Sequence, residues 1–297
     1  MKIDGVFSGG GVKAFAYIGA LKSLEKNQLE LERVAGTSAG AIVASLIATG
    51  YQQEELEKTL ENLNLNQLLD PPQLTKFLPF TKWLYLYFQM GLNKGDKLEK
   101  WLFELLAKKN VYTFQDLKKD YLKVVVTDLS LGKLVVIPDD LERIYGIDAR
   151  YFSVAKAVRM SCGIPYFFMP QKMVANNNLK SRIVDGALLS NFPMWIFNNK
   201  RNHYKRPVLG ITISEAGGQL EKWRPVRNAL QMSHALFTTM KTAHDARYIS
   251  KSDSDHIIFI PATEVEAIDF DLKGEEREKL IALGETYADS FLKHWPT

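Results

Sequence analysis

The sequence predicts an α/β fold: a mainly parallel central sheet with helices on both faces. Three observations point there. Short apolar runs of strand length alternate with longer runs of helical periodicity, the order expected of parallel strands joined by crossover helices. Two strand-to-helix junctions are rich in glycine, Gly9-Gly10-Gly11 and Gly36-Thr37-Ser38-Ala39-Gly40. The run Val124-Val125-Val126 lacks polar alternation, as befits a strand covered on both sides.

The elements follow in order. Lys2 to Ser8 reads as a strand, and Phe15, Ile18, Leu21 and Leu24 carry a helical stripe after the first glycine turn. Leu31 to Ala35 is a second strand, and Ser38 to Thr49 a nearly all-apolar helix suited to burial against a sheet. Glu54 to Leu65 is a more polar helix and Asp96 to Lys108 an amphipathic one, with a short capped turn at Thr113 to Leu117. Tyr121 to Thr127 and Lys133 to Ile137 are strands; Asp128, at the end of the first, reads as a turn aspartate before Leu129-Ser130-Leu131-Gly132. Ser153 caps a helix to Ser161, which Gly163-Ile164-Pro165 breaks, and Cys162 reads as a small buried filler. Ser181 to Val184, Val208 to Ile213 and His256 to Ile260 complete the strands, with a loop at Glu215 to Gln219. Helices are expected from Pro225 to Tyr248 and from Gly274 to Trp295.

One stretch admits two readings. Residues 71–95, and Phe77 to Leu92 above all, crowd Phe77, Leu78, Phe80, Trp83, Leu84, Tyr85, Tyr87 and Phe88 together with few polar breaks. They suit a lid or interfacial segment resting on lipid, or a helix packed over the core or in a dimer contact.

Composition bounds the function. With 297 residues, 46% of them apolar, the chain can bury a sizeable core. No linker, low-complexity run or internal repeat divides it, so one domain over 1–297 is expected. The formal charge of +4 is no nucleic-acid signature. A single cysteine excludes an internal disulfide, no Asp, His or Cys cluster offers calcium or zinc geometry, and no cofactor is expected. Without an apolar leader, or any apolar stretch of about 18 residues, the expected location is cytoplasmic, with peripheral membrane contact open.

The chemistry gathers at Ser38. In Gly36-Thr37-Ser38-Ala39-Gly40 the pattern is G-x-S-x-G between a strand and a helix, where a tight bend pushes the serine Oγ outward. A Cβ at Gly36 or Gly40 would collide with a neighbouring strand or block the substrate. The helix that follows favours negative charge at the serine. A plain helix N-cap is the competing reading. The loop Gly9-Gly10-Gly11-Val12-Lys13 presents several amides to one point, an anion cradle. It could hold a dinucleotide pyrophosphate, or the oxyanion of an acyl-transfer intermediate. The second strand favours the oxyanion. A dinucleotide fold wants an acidic residue at its end, where this chain has Gly36-Thr37-Ser38, and Glu30 and Glu32 lie at the wrong end.

Together with Asp185-Gly186-Ala187, these two motifs resemble the patatin-like phospholipases, whose signatures are a G-G-G-x-R/K-G loop, G-x-S-x-G and D-G-A/G. Val126-Thr127-Asp128-Leu129, Ala157 to Pro165, Asp185 to Pro193 and Ile268 to Leu272 look similar as well, so the resemblance spans nearly the whole chain. It implies a three-layer patatin-like fold and a serine–aspartate dyad that hydrolyses lipid acyl esters through an acyl-enzyme, as a phospholipase A or lysophospholipase. By position, Ser38 is the nucleophile and Asp185 its base. Gly10 and Gly11, with Gly9, form the oxyanion hole, and Lys13, Gly36, Gly40 and Gly186 support the motifs. Ala14 departs from the family's usual glycine, and its methyl would matter if the loop needed a positive φ there. A triad using His203, His234, His244 or His256 also fits the chain order. The implied partner is a membrane lipid or lysophospholipid, with oligomerisation open. The alternatives are an anion- or nucleotide-binding protein and a hydrolase inactive until a partner triggers it.

Overall fold

The computed structural model describes residues 1–61, 63–78, 81–197, 206–213, 226–228, 231–232, 235–240, 243, 254–263, 265–267 and 269–295. The chain opens with β1 (Lys2–Phe7), α1 (Phe15–Lys26), β2 (Glu30–Thr37), α2 (Ala39–Ala48) and α3 (Gln53–Glu61). Next come the short α4 (Leu74–Phe77), α5 (Thr81–Gln89), β3 (Gly91–Asn93) and α6 (Asp96–Ala107). Then follow β4 (Leu122–Asp128), β5 (Lys133–Ile137), α7 (Val154–Ser161), β6 (Tyr166–Phe168), β7 (Gln171–Val174) and β8 (Lys180–Asp185). β9 (Val208–Ile213), β10 (Ile257–Ile260) and the C-terminal helix, here α8 (Gly274–Leu292), complete the described elements.

The main sheet runs β10-β9-β1-β2-β4-β8-β7, with β5 also paired to β4. β10, β9, β1, β2 and β4 are mutually parallel, whereas β8 lies antiparallel to β4 and β7 antiparallel to β8. β4 is buried along its whole length, as its unbroken valine run requires. On one face Ile3, Phe7, Val34, Val124 and Ile211 join a large core with α1, α2, α6, α7 and α8. On the other, Val6, Ala35, Val208 and Ile257 pack with Phe192, Met194 and Phe197. The period of two along each strand sorts its residues between these cores.

α1 and α8 approach closely because both carry glycine at the crossing. A Cβ on Gly19 would lie 1.9 Å from the Ile281 carbonyl, and one on Gly284 1.9 Å from that of Ala16.

Thr81–Gln89 of the aromatic stretch forms α5, on which Trp83, Tyr87 and Phe88 face outward. The expected helix from Pro225 to Tyr248 lies largely outside the described residues, although Gln231–Met232 and Ala235–Met240 are helical. The loop at Glu215 to Gln219 lies wholly outside them. No described helix is long and apolar enough to cross a membrane.

Candidate active site

Ser38 stands between β2 and α2 with φ 54° and ψ −127°, a conformation that L residues adopt only where the surroundings enforce it. Two close approaches enforce it here. A Cβ on Gly40 would lie 2.4 Å from the Phe7 carbonyl oxygen, so α2 starts hard against the end of β1. One on Gly36 would lie 2.4 Å from the Gly40 carbonyl oxygen; the crowding there comes from the start of α2 rather than from a neighbouring strand.

Sheet register brings the carboxylate to the hydroxyl. Thr37 pairs with Val125 across β2 and β4, and Asp185 pairs with Val126 across β4 and β8. Ser38 and Asp185 therefore flank β4 at nearly the same level. The Ser38 hydroxyl donates to Asp185 Oδ2 at 2.7 Å, across 147 residues of chain. Asp185 Oδ1 accepts the Ala187 amide at 2.8 Å, which fixes the rotation of the carboxylate. Both side chains are buried. Gly186 admits no side chain, because its Cβ would lie 2.3 Å from the Val125 carbonyl oxygen.

The three loop glycines divide their tasks. The Gly9 amide donates to the Asn191 carbonyl at 3.0 Å, so Gly9 shapes the loop and is not available as an oxyanion donor. Among the described residues no carbonyl accepts from the amides of Gly10 or Gly11. Gly11 has φ 57°, and Val12 donates to the Ala267 carbonyl at 2.9 Å, anchoring the loop to the far end of the chain. Ala14 sits at φ −59°, ψ −13°, ordinary right-handed geometry, so its methyl strains nothing. The positive φ falls on Gly11 instead. Lys13 is buried beside this loop.

Several contacts at the site had no sequence signature. Ser161, at the end of α7, accepts the Ser38 amide at 2.9 Å and donates to the Val125 carbonyl at 2.6 Å, pinning the strained peptide to β4. Its position at a helix end makes it look like an ordinary terminal serine. The Thr37 hydroxyl donates to the Ser190 carbonyl at 3.0 Å. The stretch from Asp185 to Asn191 thus touches the serine turn, the residue before it and the glycine loop.

Arg159 is fully buried on α7. It donates to the carbonyls of Gly95 (3.0 Å), Lys94 (2.6 Å) and Met169 (3.2 Å), and lies 4.8 Å above the Phe168 ring. Burial lowers its pKa from the ordinary arginine value. Burial also pushes the Cys162 thiol far up, with the Asp185 charge adding to the rise; this neutral thiol is a wall and no nucleophile.

Asp128 accepts the Ser130 and Leu131 amides at 2.8 and 3.0 Å and the Tyr145 hydroxyl at 2.7 Å, the bonding of a turn aspartate. Of the histidines weighed for a triad, His203, His234 and His244 lie outside the described residues, and His256 accepts from Trp295 Nε1 at 3.1 Å. Among the described residues no imidazole bonds to Ser38.

Ser38 opens on a narrow apolar cavity of about 100 Å³, walled by Ile42, Cys162, Phe168, Ala267 and Phe270 among others. Its apolar lining suits a hydrocarbon chain. A polar hollow between Asn64, Asn66, Asp271 and Arg277 adjoins it across Leu63 and Phe270. No serine lines it, so the chemistry centres on the first.

A mainly parallel sheet covered by helices, with a serine on a strained turn between its strand β2 and helix α2, defines an α/β protein with a strand–serine–helix turn. Within that class the chain belongs to the patatin-like phospholipase family, a family of lipid hydrolases, whose model matches residues 5–198. The uncharacterized protein YqhO of Bacillus subtilis is 46% identical over 99% of both chains. The triacylglycerol lipase ptl3 of Schizosaccharomyces pombe is 25% identical over 64% of this chain and 38% of its own. Among solved structures, VipD of Legionella pneumophila shares the fold with a TM-score of 0.57 at 18% identity, covering 98% of this chain and 66% of that one.

Proposed function

We propose that this protein hydrolyses carboxylic esters of membrane glycerolipids, as a phospholipase A or lysophospholipase, through an acyl-enzyme on Ser38. The observation that carries the reading is the 2.7 Å bond from the Ser38 hydroxyl to Asp185, beside an apolar cavity and two glycine amides from which no carbonyl among the described residues accepts. As Oγ attacks the ester carbonyl carbon, its proton passes to Asp185 Oδ2. The carbonyl oxygen becomes an oxyanion, held by the amides of Gly10 and Gly11 and favoured by the positive end of α2. Collapse breaks the ester C–O bond, and the departing lysolipid or glycerol oxygen takes the proton back from Asp185. Water then attacks the acyl-serine, gives its proton to Asp185, and releases the fatty acid as Oγ is reprotonated.

Aspartate is a weak base, with a reference pKa of about 3.9. The burden therefore shifts to the oxyanion donors, each worth about 3–4 kcal/mol in comparable sites. A nucleotide-binding reading of the glycine loop has less support, because Gly9 has already given its amide to Asn191. A fluorophosphonate probe followed by peptide mapping separates the two. Labelling at Ser38, with fatty-acid release from phospholipid vesicles that Ser38→Ala abolishes, is the expected result. An unlabelled Ser38 in a protein whose melting temperature rises with nucleotide would refute the hydrolase reading.

A further inference from the structure

Between Pro71 and Gly95 the sequence carries three lysines, Lys76, Lys82 and Lys94, and not one aspartate or glutamate. α5 lies in the middle of this stretch. Its inner side is Thr81, Tyr85 and Leu86; Thr81 is buried and donates to the Leu78 carbonyl at 2.6 Å. Its outer side is Trp83, Leu84, Tyr87 and Phe88, spaced one, four and five residues apart, which puts them on one face of the helix. Trp83 is 61% exposed, Tyr87 80% and Phe88 66%, and Phe77 just ahead is 81% exposed. Exposed aromatic side chains gathered on one helix face mark an interaction site.

We propose that this face docks on the surface of an anionic phospholipid bilayer. Two properties select that occupant. Tryptophan and tyrosine combine an apolar ring with a polar tip, which suits the headgroup boundary. The exposed Lys82 and Lys94, in a sequence stretch without Asp or Glu from Pro71 to Gly95, complement a negatively charged surface and disfavour a second copy, which would bring the same lysines together. The patch is also coupled to the candidate active site. α5 runs into β3, which pairs with β6 through Gly91–Tyr166 and Asn93–Phe168. Phe168 is a wall of the apolar cavity, and Arg159 beneath its ring holds the Lys94 and Gly95 carbonyls. Docking would thus seat the cavity wall against the lipid that supplies its substrate. This deepens the proposed lipid hydrolysis and rests on it for its purpose, but binding is measurable without turnover.

The test uses the full chain carrying Ser38→Ala, sedimented with vesicles of phosphatidylcholine alone or mixed with phosphatidylglycerol. Binding to the mixed vesicles, weakened by salt, is expected. Trp83→Ser with Phe88→Ser lowers the partition coefficient at least about tenfold on both vesicles. Lys82→Gln and Lys94→Gln each lower it about fivefold, on the anionic vesicles only. In the chain with Ser38 intact, the same variants keep hydrolysis of a soluble short-chain ester and lose hydrolysis of vesicle lipid. No binding to either vesicle, or equal binding by the Trp83/Phe88 variant, overturns the proposal. So does a dimer that this variant dissociates while vesicles go unbound. Normal vesicle binding with no ester hydrolysis would instead sink the enzymatic reading and leave the docking surface standing.

Discussion

Ser161→Ala removes a single oxygen from a residue outside the Ser38–Asp185 pair, and its effect follows from two hydrogen bonds. The Ser38 amide loses its acceptor at a site where Ser38 and Ser161 are both buried. An unpaired buried donor costs about 1–3 kcal/mol. The Val125 carbonyl loses a donor too, but carbonyls tolerate under-satisfaction better than amides do. The expected loss of stability is therefore about 2 kcal/mol, a few degrees in Tm for a domain of this size. The catalytic effect is separate. At φ 54° the Ser38 backbone is strained by about 1–3 kcal/mol, and the Ser161 bond is one of the restraints that hold it there. Release lets the peptide turn and carries Oγ off line from Asp185. A displacement of about 1 Å at a reacting centre costs up to about 10²-fold, so kcat should fall roughly 10- to 100-fold. The assay is kcat and KM on a soluble ester, well below both melting temperatures, with urea unfolding alongside. Ser45→Ala is the control: its buried hydroxyl donates to the Ile42 carbonyl one helical turn away, within α2, and not to Ser38 or Asp185. A Ser161→Ala enzyme with lowered stability and unchanged kcat would refute the positioning argument; unchanged stability would refute the hydrogen-bond argument beneath it.

Asp185→Asn should keep the fold, because its carbonyl oxygen can still accept the Ala187 amide while the NH2 group turns to Ser38. kcat then falls about 10²- to 10⁴-fold with little change in Tm, and activity within threefold of the parent would exclude Asp185 as the base. Ile42→Phe, in the cavity wall, should lower kcat/KM for long-chain esters at least about tenfold and spare short-chain ones; equal losses across chain length would place the acyl group elsewhere. Cys162 should resist alkylation in the native protein and react only on unfolding. Its folded-state pKa is raised, so the stabilisation it brings is complete below about pH 8.5, the ordinary thiol value, and declines as pH rises beyond it. Urea titrations of the parent and Cys162→Ala across that range check the sign, since the alkaline loss should shrink in the variant.

How much the sequence discloses depends on how local the cause is. Gly36 and Gly40 are readable because their reason, the absence of a Cβ at a tight turn, belongs to the residues themselves. Asp185 is not readable in that way: an aspartate before glycine at a strand end is a turn by default. What carries it to Ser38 is the antiparallel seat of β8 beside β4, a long-range pairing that no periodicity encodes. The three-residue strands β3 and β6 are too short for a pattern, yet they tie α5 to the cavity wall. For α5, composition alone serves a core-packed helix and an outward-facing one equally well. Ala14 teaches the reverse lesson. Its departure from the family pattern draws attention, but the backbone places the left-handed residue at Gly11 and leaves Ala14 in ordinary geometry.

The anchoring of Val12 to Ala267 bears on how small a working fragment can be. The family model ends at residue 198, so a truncation there looks like a natural minimal unit. Such a piece would leave the β1 edge bare where β9 pairs with it, and strip α8 from the glycine crossing on α1. It would also remove the carbonyl that clamps the glycine loop, and two walls of the apolar cavity, Ala267 and Phe270. The residues that look catalytic all lie in the first two thirds of the chain, but the shape that would make them work is finished by the last third.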